Sequence, residues 1–343
     1  MTRTIQELQQ LQALPLDIKV AKTKLRIKEW VDTFSLDGVY VSFSGGKDST
    51  VLLTIARELY PDIKAVFVDT GLEYPEIRDF VKTWDNVEWL KPKMNFKKVI
   101  ETYGYPFISK EVSKRCQEWR NAIEKGKDIT KTEAYKEFNG ESYFIREGCL
   151  EPVKSFHNKE KWAFLVESPY KFSNKCCDVM KKKTLKAMGD SKAITGQMAD
   201  ESINREKSWL LHGCNAFEAS TPISNPLSFW TEQDILHYAK KNGIKIASCY
   251  GSIVYEDANG LQYDDPLFNN DMKLITTGCK RTGCMFCGYG CHLEKPGQGR
   301  FELMKKTHPK QYEYIMKPTD QGGLGYKEVI DWINEHGNLH IRY

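Results

Sequence analysis

No run of apolar residues in this 343-residue chain is long enough to span a bilayer, which excludes a helical membrane protein. The first seven residues hold no apolar core of the kind a secretory signal needs. These two absences make a cytoplasmic location the expectation, with no membrane partner. In that compartment ten cysteines argue for metal or redox chemistry rather than structural disulfides. Neither sign of charge dominates, since the formal net charge is only +4. The balance is uneven, however. Residues 91–190 carry 22 Lys and Arg against 14 Asp and Glu, an excess of +8, so the remainder carries −4. A basic middle suits an anionic ligand: a nucleotide, a sulfate group or a nucleic acid. With 41% hydrophobic and 28% charged residues, the composition is that of a globular protein able to bury a substantial core.

A Walker A loop, Gly-x-x-x-x-Gly-Lys-Ser/Thr, is also missing. In its place stands Ser44-Gly45-Gly46-Lys47-Asp48-Ser49. An apolar, β-rich run at 39–43 precedes it and reads as a buried parallel strand. An apolar-periodic run to about residue 59 follows and reads as a helix. A glycine turn between them delivers backbone N–H groups to a helix N-terminus, where unpaired donors and the helix dipole make an anion site. Gly45 and Gly46 are free to take positive φ and let phosphate oxygens approach. Lys47 adds a point charge, Ser44 and Ser49 add hydroxyls, and Asp48 can cap the helix or help hold Mg²⁺.

The remaining chain reads as alternating elements. Residues 1–37 are helical in pattern, with a helix at about 17–34 packed on the core or on a second subunit. Residues 65–68 form the next strand, and Asp69 stands at its carboxyl end, where open α/β sheets bind ligands. Thr70-Gly71 turns, and Pro75 opens a helix through about residue 83. Strands are predicted at 87–90 and 162–166. A basic helix runs from 175 to about 188, with another strand following at 192–194. Helices begin at Asp200, at Thr231 and near Phe301, with Pro309 interrupting the last, and a short helix spans 326–336. Residues 113–160 read as an insertion in which aromatics interleave with lysines, either packed on the surface or forming a platform for single-stranded nucleic acid.

The Ser44–Ser49 loop resembles the pyrophosphate loop of the adenine nucleotide α-hydrolases, which split ATP between the α and β phosphates and commonly adenylate a substrate. The resemblance implies an α/β fold: a doubly wound, mostly parallel, Rossmann-like sheet. Further segments resemble the phosphoadenosine-phosphosulfate (PAPS) reductase family within that superfamily, over roughly residues 36–290. Asp69-Thr70-Gly71 resembles the segment lying next to the adenosine. The stretch around Ser109-Lys110 resembles one in which a lysine approaches the substrate's anionic end. Thr195-Gly196-Gln197 with Glu201-Ser202 and Arg205 resembles a second nucleotide-facing segment, where an arginine meets the phosphosulfate; guanidinium binds such groups bidentately. By this resemblance Lys47, Asp48, Lys110 and Arg205 are the implied catalytic residues. Ser44, Gly45, Gly46, Lys47, Asp48, Ser49, Asp69, Thr70, Gly71, Gly196 and Gln197 are the implied nucleotide contacts, for ATP with Mg²⁺ or for PAPS or adenylyl sulfate (APS).

Near the end stands Cys279-Lys-Arg-Thr-Gly-Cys284-Met-Phe-Cys287-Gly-Tyr-Gly-Cys291-His292. Its Cys-x-x-Cys is a metal knuckle that needs two more ligands. These come either from Cys279 and Cys291, with His292 in reserve, or from the distant pair Cys176-Cys177. Adjacent cysteines suit one tetrahedral zinc poorly, because neighbouring side chains diverge, whereas a cubane offers separate irons. Cys-Cys followed by a distant Cys-x-x-Cys resembles the [4Fe–4S] pattern of assimilatory APS reductases. That resemblance implies Cys176, Cys177, Cys284 and Cys287 as ligands, with zinc as the alternative metal. Cys279 and Cys291 then serve as supporting thiols or carry sulfur. Cys116, Cys149, Cys214 and Cys249 read as small buried residues.

Two departures shape the functional expectation. No cysteine follows Cys291, whereas sulfonucleotide reductases attack the sulfate sulfur with a cysteine in a C-terminal tail. Those reductases usually carry a degenerate loop, and here it is intact. Both point to ATP-dependent adenylation of a substrate coupled to Fe–S-assisted sulfur transfer, with nucleic acid a candidate acceptor. A cysteine desulfurase, a thioredoxin or a ferredoxin-like protein is the expected class of sulfur-donor partner, and a homodimer is the expected assembly. The alternatives are a sulfonucleotide reductase releasing sulfite, and a nucleotide-binding, non-catalytic subunit of a nucleic-acid modification or defence complex. The domain expectation is an N-terminal helical arm at 1–37, a nucleotide-binding α/β domain at 38–245 with its insertion at 113–160, and a cysteine-rich subdomain at 246–343.

Overall fold

The structure, a computed structural model, describes residues 3–145, 151–265 and 272–343. Its contacts gather into two units. The first comprises residues 1–69, 73–91 and 185–283, and the second 70–72, 92–184 and 284–343. No helix among the described residues is long and apolar enough to cross a membrane.

The first unit begins with helices α1 (Ile5–Gln12) and α2 (Leu16–Phe34). Strand β1 (Val39–Ser42) leads into α3 (Lys47–Leu59), β2 (Ala65–Val68) into α4 (Pro75–Lys82), and β3 (Val87–Leu90) follows. After the chain returns come β4 (Lys192–Ile194), α5 (Ile203–His212), the short strands β5 (Asn215–Ala216) and β6 (Ile223–Ser224), and α6 (Glu232–Lys241). The sheet order is β3-β2-β1-β4-β6-β5. Pairing is parallel except at β5, which runs antiparallel to β6. Val41 faces Ala65 on one side and Ile194 on the other. This is the doubly wound α/β fold expected from the sequence. The chain grows outward from β1 through β2 and β3, then restarts at β4 on the other flank of β1. Ligands bind in the crevice beyond the strand ends at such a switch point. A separate three-stranded sheet, β7 (Ile253–Glu256), β8 (Gln262–Tyr263) and β9 (Lys273–Thr276), completes the unit; these strands were not read from the sequence.

The core of this unit gathers Val39, Val41 and Phe43 with Leu52, Leu53 and Ala56 from α3 and Ile27, Trp30 and Val31 from α2. Helix α2 thus packs on the core of its own chain. Its buried Thr23 hydroxyl donates to the Pro226 carbonyl (3.2 Å) and accepts from the Trp230 indole N–H (2.9 Å). Lys19 reaches Asp234 at 2.7 Å.

The second unit is mostly helical. Its helices are Phe96–Tyr103, Lys110–Glu124, Glu133–Phe138, Arg300–Thr307, Pro309–Met316 and Tyr326–Gly337. Phe107–Ile108 pairs in parallel with Gly288–Tyr289. Gly288 is required there, since a Cβ would stand 2.6 Å from the Phe107 ring. Tyr105, Phe107, Phe301 and Tyr326 form an aromatic core, with ring centroids 5.2–6.5 Å apart. The strand expected at 162–166 is a 3₁₀ helix, Glu160–Glu167. A short apolar run does not distinguish a strand from a buried helical turn, and only Leu165 of this run is buried. In the insertion, Trp119 stacks on Tyr135 at 5.5 Å, while the hairpin of Tyr143–Ile145 and Pro152–Lys154 leaves Tyr143 and Phe144 exposed.

Candidate functional site

In the first unit the site grows from the turn after β1. Gly45 has φ +71°, and a Cβ there would lie 2.7 Å from Val81 and 2.9 Å from Ile77 of α4. Gly46 differs from expectation: its φ is −75°, extended backbone that heads α3. Asp48 does not cap α3 either, because Gly46 holds the cap position and supplies no side-chain acceptor; of the first turn, the Lys47 N–H is taken by the Tyr250 hydroxyl. With no side-chain N-cap, the helix start presents its positive end to an anion. Hydroxyls brace the turn, with Ser44 and Ser49 sharing a hydrogen bond at 3.0 Å and Ser49 and Thr50 both donating to the Gly46 carbonyl. The turn after β4 closes against it, for a Cβ on Gly196 would lie 3.1 Å from the Asp48 carbonyl oxygen.

Lys47 is only 3% exposed. Its Nζ lies 3.1 Å from Glu232 and 3.6 Å from Asp48, and donates to the Lys280 carbonyl at 3.2 Å. Its backbone N–H donates to the Tyr250 hydroxyl (3.2 Å), which shares a 2.6 Å hydrogen bond with Thr282. Burial pushes the Asp48 carboxyl above its usual range against the pull of Lys47, and Glu232 adds to the rise. Asp48 Oδ1 is buried and accepts no hydrogen bond from the described residues, which fits a ligand position for Mg²⁺. Arg205 pairs with Glu201. Burial and the nearby Arg281 cation lower its pKa, while Asp48 opposes them. Gln197 and Arg205 line one small cavity. Asp69, at the end of β2, is buried and paired with Arg78 at 2.9 Å. Reading the sequence missed Tyr250, Thr282, Glu232, Lys280 and Arg281. The Lys280-Arg281-Thr282 run between two cysteines was the available signal.

In the second unit Cys176, Cys177, Cys284 and Cys287 line a single hollow. Its other walls include Thr70, Leu72, Phe96, Pro106, Met180 and Phe286, and its empty space is about 350 Å³, open mouth included. Cys176 and Cys177 are held with their sulfurs 4.0 Å apart. A π-helical turn, Asp178–Lys182, follows them directly; such turns often mark functional positions. The Cys176 thiol donates to the Cys177 sulfur. Cys177 is lowered to about 6, first by the Cys176 hydrogen bond and then, against burial, by Lys110 and Lys181, while Cys176 is raised by its partner and by burial. Among the described residues no three His, Cys, Asp or Glu side chains converge at the spacing of one bound metal ion. Four thiols around one largely apolar hollow nevertheless suit a polynuclear iron–sulfur group in donor chemistry. Arg300 donates to the Cys287 carbonyl at 2.6 Å, and Tyr326 donates to Phe286 at 2.6 Å, fixing the knuckle.

Lys110 is exposed at the start of its helix, which Ser109 caps by accepting from Val112 at 3.1 Å. Ile108 before it has φ +66°, a strained value for a β-branched residue. Thr70 lines the hollow and Gly71 turns at φ +74°. Cys291 is buried and its thiol donates to the Gly288 carbonyl at 2.9 Å. Cys116 is buried as expected, whereas Cys214 and Cys249 are partly exposed. Cys149 lies outside the described residues.

A parallel sheet with an open glycine turn at its switch point defines a nucleotide-binding α/β protein. A family model described as the phosphoadenosine phosphosulfate reductase domain matches residues 38–288, most of the chain. The chain belongs to that family, and membership supports nucleotide binding at the level of the family. Similar proteins include an uncharacterized protein of Methanocaldococcus jannaschii, 41% identical over 73 residues, which are 20% of this chain and 18% of that protein. Phosphoadenosine 5'-phosphosulfate reductases of Escherichia coli are 31% identical over 115 residues, 32% of this chain and 46% of theirs. The chain thus spans less than half the length of these relatives. A crystal structure of phosphoadenylyl-sulfate reductase from Candida auris, a phosphate complex, aligns with 14% identity and a TM-score of 0.36, over 72% of this chain and 91% of that one.

Proposed function

We propose that the chain is an enzyme that binds ATP with Mg²⁺ at the Ser44–Ser49 turn and cleaves it between the α and β phosphates to adenylate a substrate for sulfur transfer. The observation that carries this reading is the intact turn itself. It pairs a helix start that has a glycine at the cap position with a buried lysine, at the sheet's switch point. Lys47 would hold charge on the leaving pyrophosphate, and Asp48 would help hold the metal ion. Arg205 suits the nucleotide's anionic end. Thr70, Gly71 and Lys110 retain the roles of nucleotide and substrate contacts, now as part of this proposal. Cys176, Cys177, Cys284 and Cys287 would hold a [4Fe–4S] cluster, which when bound supplies electrons or a sulfur-binding iron. A nucleic acid is the proposed acceptor class, in keeping with the basic stretch at 91–190. The test is anaerobic pyrophosphate release from ATP with and without candidate acceptors. Release that depends on acceptor supports the reading, and its absence with every acceptor sinks it.

The family match favours a second reading, reduction of PAPS or APS to sulfite. Sulfite formed from either nucleotide with a thiol donor would establish it, and failure with both nucleotides and every donor would remove it.

A further inference from the structure

Two cysteines of the first unit, neither among the proposed cluster ligands, stand side by side against the anion loop. Cys279 donates its backbone N–H to the Cys249 carbonyl at 2.9 Å, and Gly278 donates to Tyr250 at 2.8 Å. The main chains approach so closely that a Cβ on Gly278 would lie 2.3 Å from the Cys249 carbonyl oxygen. Main chains this close set the two residues side by side, and a disulfide spans Cα separations of about 4.4–6.8 Å. The neighbouring Cys249 thiol, with the Lys47 cation assisting, draws the Cys279 thiol below its ordinary range against burial and Glu76. Cys249 is raised correspondingly. Both are partly exposed and both are reduced. Ser248 and Gly251, on either side of Cys249 and Tyr250, line a cleft of about 1130 Å³ together with Glu76.

Each cysteine is followed in sequence by a group that holds Lys47. Tyr250 follows Cys249 and accepts the Lys47 backbone N–H. Lys280 follows Cys279 and accepts Lys47 Nζ through its carbonyl. We infer that Cys249 and Cys279 form a reversible dithiol–disulfide couple whose state sets the geometry of the Ser44–Ser49 turn. The co-reactant is an external disulfide. Cys279 thiolate attacks one of its sulfurs and expels one thiol. Cys249 then loses its proton, attacks Cys279 Sγ in the mixed disulfide and expels the second thiol. Two protein thiols are oxidised and one external disulfide is reduced. Closing the bond draws the sulfurs to about 2.0 Å, which shifts both Tyr250 and Lys280 around Lys47. The consequence for nucleotide rests on the proposed role of the turn; the couple itself does not.

The full chain, equilibrated with oxidised and reduced glutathione in varied ratio, is alkylated and peptide-mapped. Hydrogen exchange is then followed in the peptide spanning residues 44–50. A 249–279 bridge that dithiothreitol reverses is expected, with exchange in the loop changed by about fivefold or more. Cys249→Ser is expected to show no oxidant-dependent change in the loop. Absence of the bridge in the unmodified chain under excess oxidised glutathione, while other thiols react, overturns the couple. A bridge with unchanged loop exchange overturns its action on the turn. Neither outcome depends on whether ATP is the nucleotide, so failure of the functional reading would be seen separately, as a reduced chain that binds no ATP.

Discussion

At the scale of single residues, Lys47 is the side chain on which the anion site turns. It is buried, yet its neighbours are a half-exposed carboxylate of Glu232 at 3.1 Å and a main-chain carbonyl, so an arriving phosphate replaces weak partners with a strong one. Lys47→Ala is expected to weaken ATP binding by about 2 kcal/mol, roughly thirtyfold, in calorimetric titration. An unchanged affinity would remove the lysine from the site. Gly45 sets the turn that presents it. Gly45→Ala meets both an unfavourable φ and two methyl groups within 3 Å, and is expected to lower unfolding stability by about 2 kcal/mol in urea titration. The corresponding change at Gly46, whose φ is negative, is expected to cost less. The glycine-lysine turn was legible in the sequence because its chemistry is local, six residues between a strand and a helix. Tyr250 was not, because it acts from 203 residues away through one hydroxyl, and no local pattern marks a tyrosine that will meet a distant amide.

At the scale of elements, the strands and helices around β1 to β3 were readable from period and punctuation. Short continuous apolar runs, Pro75 at a helix start and Asp69 at a strand end are signals carried within a few residues. The insertion was not readable, because what orders it is polar and long-range. Glu137, on the helix Glu133–Phe138, is nearly buried and accepts from Arg115 at 2.9 and 2.5 Å and from Lys159 at 2.6 Å. This ties that helix to Lys110–Glu124 and to the residue before the 3₁₀ turn. Burial raises its pKa, but the hydrogen bonds from Arg115 and Lys159 outweigh burial, so the net shift is downward from 4.5. A carboxyl lowered in the folded state contributes stability that is present above its unfolded value and lost as pH falls through the folded one. Glu137→Gln removes the carboxylate shared by two cations, leaving Arg115 with Glu118 and Lys159 with the His157 carbonyl, and is expected to cost about 3 kcal/mol at pH 7. Because the variant has no carboxylate to protonate, its stability should fall less than that of the unmodified chain between pH 6 and pH 3. Urea unfolding of both proteins across that range is the measurement; parallel curves would refute the role.

For the molecule as a whole, the cysteines separate what sequence spacing allows from what folding selects. Spacing left two ligand sets open, a local one with Cys279 and Cys291 and a distant one with Cys176 and Cys177. Each unit draws on three separated stretches of chain, so a contact spanning about a hundred residues is as available as one spanning four. Folding gathers Cys176, Cys177, Cys284 and Cys287 around one hollow. It commits the Cys291 thiol to the Gly288 carbonyl and sets Cys279 beside Cys249 in the other unit. The two ligand sets therefore predict different mutants. After anaerobic purification, iron and sulfide assays are expected to give about four of each per chain. The double change Cys284→Ser with Cys287→Ser should abolish both, with loss of the visible absorption. Cys291→Ser should keep the iron, because that thiol already spends its hydrogen on a carbonyl. Iron lost in Cys291→Ser but retained in Cys176→Ser would restore the local set. Stoichiometric zinc without iron would turn the hollow into a structural knuckle and leave the anion loop to act by ATP-dependent ligation alone.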